Sequence, residues 1–222
     1  MIIGDILHID QGFVPLLIID GGHGATTPEK RTPPLPDGTV IQEYQFNKPT
    51  AEFAAQDAER LGFRTYLTSP GDFDTPLSVR TSRANTEYLQ YIRQLNAQGI
   101  DTTGKTVAVF VSIHYNVLGT EWQVRANGME TFFYTGSILG QQLAQNVLDR
   151  MIQATGFVDR GAKPANFYVL RRTLMPATLA ECGFMDYLPE AQLMLNEDFQ
   201  RTVASAIVAG VCDFYGVAYQ PA

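Results

Sequence analysis

The sequence predicts an α/β fold in which helices flank a mostly parallel, twisted sheet. Two unbroken apolar runs, residues 15–19 and 107–111, are typical of strands that are buried on both faces of such a sheet. Between them, apolar residues recur at helical spacing over 47–61 and 77–95, and a short strand is expected at 63–67. This alternation of strands and helices is the pattern of a parallel sheet with crossover helices.

The second half of the chain continues the alternation. The expected elements are a strand at 129–134, a helix at 139–152, two short apolar runs at 166–170 and 177–180, and an amphipathic helix from Phe199 to Phe214. No linker or repeat interrupts them, so we expect a single domain spanning residues 1–222.

The composition excludes several classes of partner. A net charge of −7 argues against binding to nucleic acid or to an anionic membrane, since both depend on an excess of Lys and Arg. No apolar stretch approaches the roughly 20 residues of a membrane span, and no secretory signal is readable at the amino terminus. The two cysteines, Cys182 and Cys212, are expected to be buried free thiols.

Two of the three histidines stand beside the apolar runs. His23 and His114 each come shortly after one run, and both are expected just past the carboxyl end of a strand. In open α/β sheets, ligands bind at that edge. Because neutral imidazole is a common ligand of Zn²⁺, this pairing predicts a site for one zinc ion.

A catalytic zinc site usually has three protein ligands, so a third ligand is needed. Glu43 is the best placed, because it precedes the first helix and follows an exposed connection at 25–39 that is rich in Pro and Thr. His8, ahead of the first strand, is the weaker candidate.

Glu181 is the predicted general acid and base. It ends an apolar run at 176–180 and should project from a strand end toward the same crevice. A nucleophilic Cys182 paired with His114 is the competing mechanism. Adjacent strand residues face opposite sides of a sheet, and we favour Glu181 as the residue that faces the site.

Six segments carry a resemblance to a known family. They are residues 20–24 (DGGHG), 43–47 (EYQFN), 77–85, 112–116 (SIHYN), 169–171 and 176–184, which includes ECGF. Together they resemble the zinc-dependent N-acetylmuramoyl-L-alanine amidases of the type 3 family, over nearly the whole chain.

The resemblance implies an α/β fold, one zinc held by His23, Glu43 and His114, and Glu181 as the catalytic acid and base. It implies hydrolysis of the amide between N-acetylmuramic acid and L-alanine in bacterial peptidoglycan, by one catalytic domain without a separate wall-binding module. The expected place of action is the cell wall, reached as a released phage or prophage lysin or as a secreted enzyme whose signal is absent from this chain.

Two other functions stay open at this stage: a zinc peptidase or carboxypeptidase that acts on stem peptides, and an inactive peptidoglycan-binding protein. Several residues also have two interpretations. Asn116 could orient a ligand or cap a turn, and Trp122 could stack on substrate or cover an apolar edge. Arg160 and Lys163 could contact a stem-peptide carboxylate or be solvated loop charges.

Overall fold

One sheet forms the centre of the structure, a computed structural model that describes residues 13–221. Its strands within these residues are β1 (Leu16–Gly21), β2 (Arg64–Leu67), β3 (Ala108–Asn116), β4 (Met129–Tyr134), β5 (Asp159–Ala165) and β6 (Ala177–Phe184). The helices are α1 (Tyr44–Arg60), α2 (Leu77–Ala97), α3 (Ile138–Thr155), α4 (Tyr168–Arg172), α5 (Leu188–Ala191) and α6 (Glu197–Tyr215).

The strand order is β2-β1-β3-β6-β4-β5. β1 is parallel to both β2 and β3, and β3 is parallel to β6. β4 then runs antiparallel to β6, and β5 runs parallel to β4. The predicted fold class, a mostly parallel sheet flanked by helices, is therefore confirmed, with two reversed strands at one edge.

Helices cover both faces of the sheet. Leu17 and Val109 pack with residues of α1, α3 and α6 on one face, whereas Ile18 and Phe110 pack with residues of α2 and α4 on the other. The apolar runs are unbroken because alternate residues of each strand face different helices. Within residues 13–221, no helix is both long enough and apolar enough to cross a membrane.

Two strands are longer than the sequence predicts. β3 continues to Asn116, so His114 lies within the strand and not past its end. β3 is paired on both sides, with β1 and β6, and its hydrogen-bonded ladder extends through the pair His114 and Glu181. Glu181 is likewise inside β6. Their side chains still lie toward the carboxyl ends of β3 and β6.

β5 is a strand that the sequence pattern does not predict. It carries Arg160 and Lys163, which are therefore strand residues and not loop charges. Gly161, at φ 89°, and Pro164 interrupt any apolar alternation, and both are tolerated because β5 lies at the edge of the sheet. The apolar run at 166–170 mostly enters α4, and α1 begins three residues earlier than expected.

Gly210 of α6 lies directly against the backbone of α3, and this gives a stability prediction. A Cβ added at Gly210 would come within 2.5 Å of Val147 Cα. We expect Gly210→Ala to lower the free energy of unfolding by about 1–3 kcal/mol, because overpacking forces the two helices apart. Urea unfolding followed by circular dichroism measures this change.

Gly71→Ala is the matched control, since an added Cβ there would meet none of the described atoms within 4 Å. Its unfolding free energy should stay within about 0.5 kcal/mol of wild type. Equal stability of the Gly210→Ala and Gly71→Ala variants would contradict this account of the α3–α6 contact.

Candidate metal centre

His23 follows β1 in a backbone conformation that side chains rarely adopt, with φ 61°. The glycines on either side allow the chain to pass through a narrow space. A Cβ on Gly22 would lie 2.1 Å from His114 Cε1, and a Cβ on Gly24 would lie 2.2 Å from the backbone nitrogen of Asp74. The segment around His23 is therefore glycine-rich because the neighbouring ring and backbone leave no room for side chains.

Glu43 reaches the same place from the end of the 25–39 connection. The connection is closed at its base by a bridge between Arg31 and Gln42 and by a hydrogen bond from Glu43 N to Lys30 O at 2.9 Å. The Glu43 side chain is 1% exposed. Its Oε1 accepts hydrogen bonds from Tyr115 N at 3.0 Å and from Asn47 Nδ2 at 2.9 Å.

The structure brings His23, Glu43 and His114 together, with one potential ligand atom from each lying within 4.8 Å of the others. His23 Nε2 is 3.4 Å from Glu43 Oε2, and His114 Nδ1 is 3.0 Å from Glu43 Oε1. Glu43 Oε2 is buried without a hydrogen-bond partner among the described residues. Two imidazoles and an unpartnered carboxylate oxygen are a donor set that fits a divalent metal ion.

The electrostatics of this cluster favour a cation. Burial lowers the pKa of His23 to about 4, which keeps the imidazole neutral and able to bind a metal. Burial opposes ionisation of Glu43, but a hydrogen bond with His114 and the charges of both histidines outweigh it and lower the Glu43 pKa. Burial also opposes the charged form of His114, yet Glu43 raises its pKa overall. The carboxylate thus attracts positive charge between the rings.

Glu181 stands beside the cluster on the neighbouring strand. Its Cα is paired with that of His114, and its Oε2 is buried without a partner within residues 13–221. Burial raises the pKa of Glu181, and the negative charge of Glu43 raises it further. A carboxyl group whose pKa is raised in this way can both accept and return a proton near neutral pH.

Cys182 lies on the opposite face of the sheet from His114. Its side chain is buried in the cluster formed with α1, α3 and α6, and burial raises its pKa well above the ordinary value. Cys182 and Cys212 are both free and buried, as predicted. This geometry favours the Glu181 mechanism over the one that uses a cysteine nucleophile.

The other predicted site residues have structural contacts. Asn116 Oδ1 accepts from Val117 N at 2.8 Å, which is a turn-capping contact, and its Nδ2 donates to Glu130 Oε1 at 2.6 Å. Trp122 Nε1 donates to Pro34 O at 3.0 Å and so joins its segment to the 25–39 connection. His8 lies outside the described residues.

Asn47 was missed by the sequence reasoning. It is fully buried, and its Nδ2 donates to both Glu43 Oε1 and Gly22 O, at 2.9 Å each. It therefore connects the segments that carry Glu43 and His23. The available signal was the spacing of four residues between Glu43 and Asn47, because side chains at that spacing meet on one helix face once the helix begins as early as Tyr44.

A buried ion pair beneath the site was also missed. The Asp20 carboxylate accepts hydrogen bonds from Thr68 Oγ1 at 2.6 Å and Ser112 Oγ at 2.8 Å, and Arg80 Nη1 lies 3.5 Å away. Arg80 also donates to Asp74 Oδ1 at 2.7 Å. This network anchors the loop that packs against Gly24, and so supports the unusual backbone of His23.

The fold and the cluster define an α/β protein with a candidate metal centre near the carboxyl ends of its parallel strands and a buried carboxyl group beside it. Residues 17–213 match the family model described as N-acetylmuramoyl-L-alanine amidase, Amidase_3. The chain belongs to this amidase family, which confirms the resemblance found in the sequence.

Individual relatives agree with this assignment. The sporulation-specific N-acetylmuramoyl-L-alanine amidase of Bacillus subtilis (strain 168) is 30% identical over 199 residues, covering 88% of this chain and 66% of that protein. The endolysin of Bacillus phage SPP1 is 31% identical over 156 residues, covering 68% of this chain and 53% of that protein. The chain thus spans no more than 66% of either relative's length.

A solved structure is similar over almost the whole domain. The catalytic domain of CwlV, an N-acetylmuramoyl-L-alanine amidase from Bacillus (Paenibacillus) polymyxa var. colistinus, matches with a TM-score of 0.74 and 28% sequence identity. The match covers 92% of this chain and 99% of that chain.

The close approach of Gly22 to His114 predicts a loss of metal affinity. In Gly22→Ala the added methyl group would displace the His114 ring from Glu43, so we expect the affinity for Zn²⁺ to fall by about 10- to 100-fold. Isothermal titration calorimetry of the metal-depleted protein with Zn²⁺ measures this affinity.

Gly119→Ala is the control, because an added Cβ there would meet none of the described atoms within 4 Å. Equal Zn²⁺ affinities for the two variants would argue against a role for the His114 ring position in metal binding.

Proposed function

We propose that the chain is a zinc-dependent amidase that hydrolyses the bond between N-acetylmuramic acid and L-alanine in peptidoglycan. The observation that carries the proposal is the gathering of His23, Glu43 and His114 beside Glu181, in a member of the amidase family. The names of the relatives, a sporulation-specific N-acetylmuramoyl-L-alanine amidase and a phage endolysin, support peptidoglycan as the substrate and the cell wall as the place of action.

His23, Glu43 and His114 would hold the zinc ion, which supplies Lewis acidity that polarises an amide carbonyl and acidifies water. Asn47 would keep Glu43 in place by holding Oε1, which leaves Oε2 directed at His23. A single catalytic domain is part of this proposal.

Glu181 would carry the proton. As the base it would take a proton from the attacking water, and as the acid it would give that proton to the leaving nitrogen of L-alanine. Its raised pKa supports both roles, since a more basic carboxylate accepts the proton readily and the resulting acid holds it until the amide bond breaks. The water-derived oxygen stays with the lactyl carboxyl group of the sugar.

The products of digestion test the proposed bond. Incubation of purified peptidoglycan with the protein should release free peptides that begin with L-alanine, identified by mass spectrometry. A chelator should abolish the release, and added Zn²⁺ should restore it. Shortened stems that remain attached to muramic acid would indicate a peptidase instead, and binding to the wall without release of fragments would indicate an inactive wall-binding protein.

Separate substitutions test the two kinds of site residue. We expect Glu181→Gln to keep bound zinc but to lower kcat by on the order of 10²- to 10⁴-fold, because the proton carrier is lost. His114→Ala should lose zinc as well as activity. Metal analysis and amidase rates on the same preparations measure both.

Glu197→Gln is the matched control, since Glu197 is a largely exposed carboxylate at the start of α6, paired only with Arg201 among the described side chains. Its zinc content and rate should equal those of wild type. A Glu181→Gln variant with near wild-type kcat would overturn the role assigned to Glu181.

A further inference from the structure

A row of charged side chains crosses the sheet from the metal centre to its edge. His114 is the Cα partner of Glu181, and Glu181 is the Cα partner of Glu130 on β4. Glu130 in turn contacts Lys163 on β5. The neighbouring Thr131 points the other way, with its Oγ1 bonded to Ala144 O of α3, so Glu130 faces the same side of the sheet as Glu181.

Glu130 holds two cations at the edge of this row. The residue is 5% exposed and accepts a hydrogen bond from Asn116 Nδ2 at 2.6 Å. Its Oε2 contacts Lys163 Nζ and lies 3.5 Å from Arg160 Nε, while the Arg160 guanidinium sits 4.8 Å from the centroid of the Phe184 ring. The cations are therefore fixed in position by groups on β3, β4 and β6.

Two cations stand beside Glu130. Lys163 and the Asn116 amide contact its carboxylate, and the Arg160 guanidinium also interacts with the buried carboxylate of Glu190. The Arg160 and Lys163 side chains remain 28% and 40% exposed, respectively. Partly exposed guanidinium and ammonium groups held in fixed positions are suited to binding a carboxylate.

The distance from Glu181 suits a peptide. β5 lies two strands from β6, and neighbouring strands are about 4.8 Å apart, which gives about 10 Å. An extended peptide rises about 3.3 Å per residue, and the long side chains of Arg160 and Lys163 shorten the gap that it must span. A carboxylate on the second residue after the scissile amide would come within reach of the two cations.

We propose that Arg160 and Lys163 form a subsite for the first free carboxylate of the stem peptide, so that the peptide lies across β4 and β5. This inference rests on the proposed amidase function. It assigns the side of the sheet beyond Glu181 to the peptide, and it makes the two cations specificity determinants that discriminate a carboxylate from a carboxamide.

A pair of matched substrates tests the subsite. Both are N-acetylmuramoyl tripeptides with an amidated carboxyl terminus, and in both the second residue is a glutamate joined to the third through its γ-carboxyl. They differ only in whether the α-carboxyl of that glutamate is a carboxylate or a carboxamide. We expect wild type to prefer the carboxylate by about 10- to 100-fold in kcat/KM, the range for a charged hydrogen bond. Arg160→Gln and Lys163→Gln should each reduce that ratio, and the double variant should abolish it.

Two control variants test whether removal of a cation elsewhere on the protein has the same effect. Arg201→Gln removes a half-exposed cation of α6 whose Nη2 lies 2.8 Å from Glu197 Oε1, and Arg150→Gln removes a cation of α3 whose Nε lies 2.6 Å from Asp213 Oδ2. Neither variant should change the ratio of kcat/KM between the two substrates. If the β5 variants lower kcat/KM equally for both substrates, the cations only neutralise Glu130 and the inference is wrong. Equal use of both substrates by wild type would also overturn it.

A binding measurement distinguishes failure of the subsite from failure of the amidase function. If wild type hydrolyses neither tripeptide, the proposed function fails, and equilibrium binding of the two tripeptides to wild type then decides the inference. The subsite is supported if wild type binds the carboxylate tripeptide more tightly than the carboxamide tripeptide and the double variant does not. Equal affinities would reject it.

Discussion

Glu43 carries a carboxylate that is 1% exposed, and a buried ion is stable in a protein only when donors and positive charge surround it. Here the donors come from separate parts of the chain: the Tyr115 amide of β3, the Asn47 side chain of α1 and the His114 ring. Satisfying this one charge therefore fixes the connection, the helix and the strand relative to each other. The remaining oxygen, Oε2, is left for His23 and a cation.

The register of the sheet fixes the relative position of His114 and Glu181, to which we assign metal binding and proton transfer. Because His114 and Glu181 are Cα partners in adjacent parallel strands, their side chains emerge together on one face. A shift of one residue would turn Glu181 into the core and bring Cys182 to the site. The apolar packing of Cys182 against α1, α3 and α6 opposes that shift, so the core on one face protects the chemistry on the other.

Sequence reasoning was most successful where burial and residue type agree. The apolar runs of β1 and β3 indicated a parallel sheet, and the scarce histidines beside them indicated where the candidate metal cluster lies. It failed for β5, whose edge position removes the need for apolar residues, and for Glu130, whose partners are distant in sequence. It also missed Asn47, which joins the nearby Glu43 to Gly22, a residue of a separate segment. The pairing of Glu130 with Arg160 and Lys163 depends on the order of β4, β5 and β6, which local patterns do not encode.

The closed base of the connection between His23 and Glu43 has a consequence for how this chain can vary. Arg31 forms a bridge with Gln42, and Thr32 N donates a hydrogen bond to Ile41 O at 2.8 Å. These pairs close the base of the connection and leave residues 33–40 as its outer turn. The entropy of closing such a turn grows only with the logarithm of its length. Insertions or deletions between these paired residues would therefore change the length of the outer turn while Glu43 keeps its place.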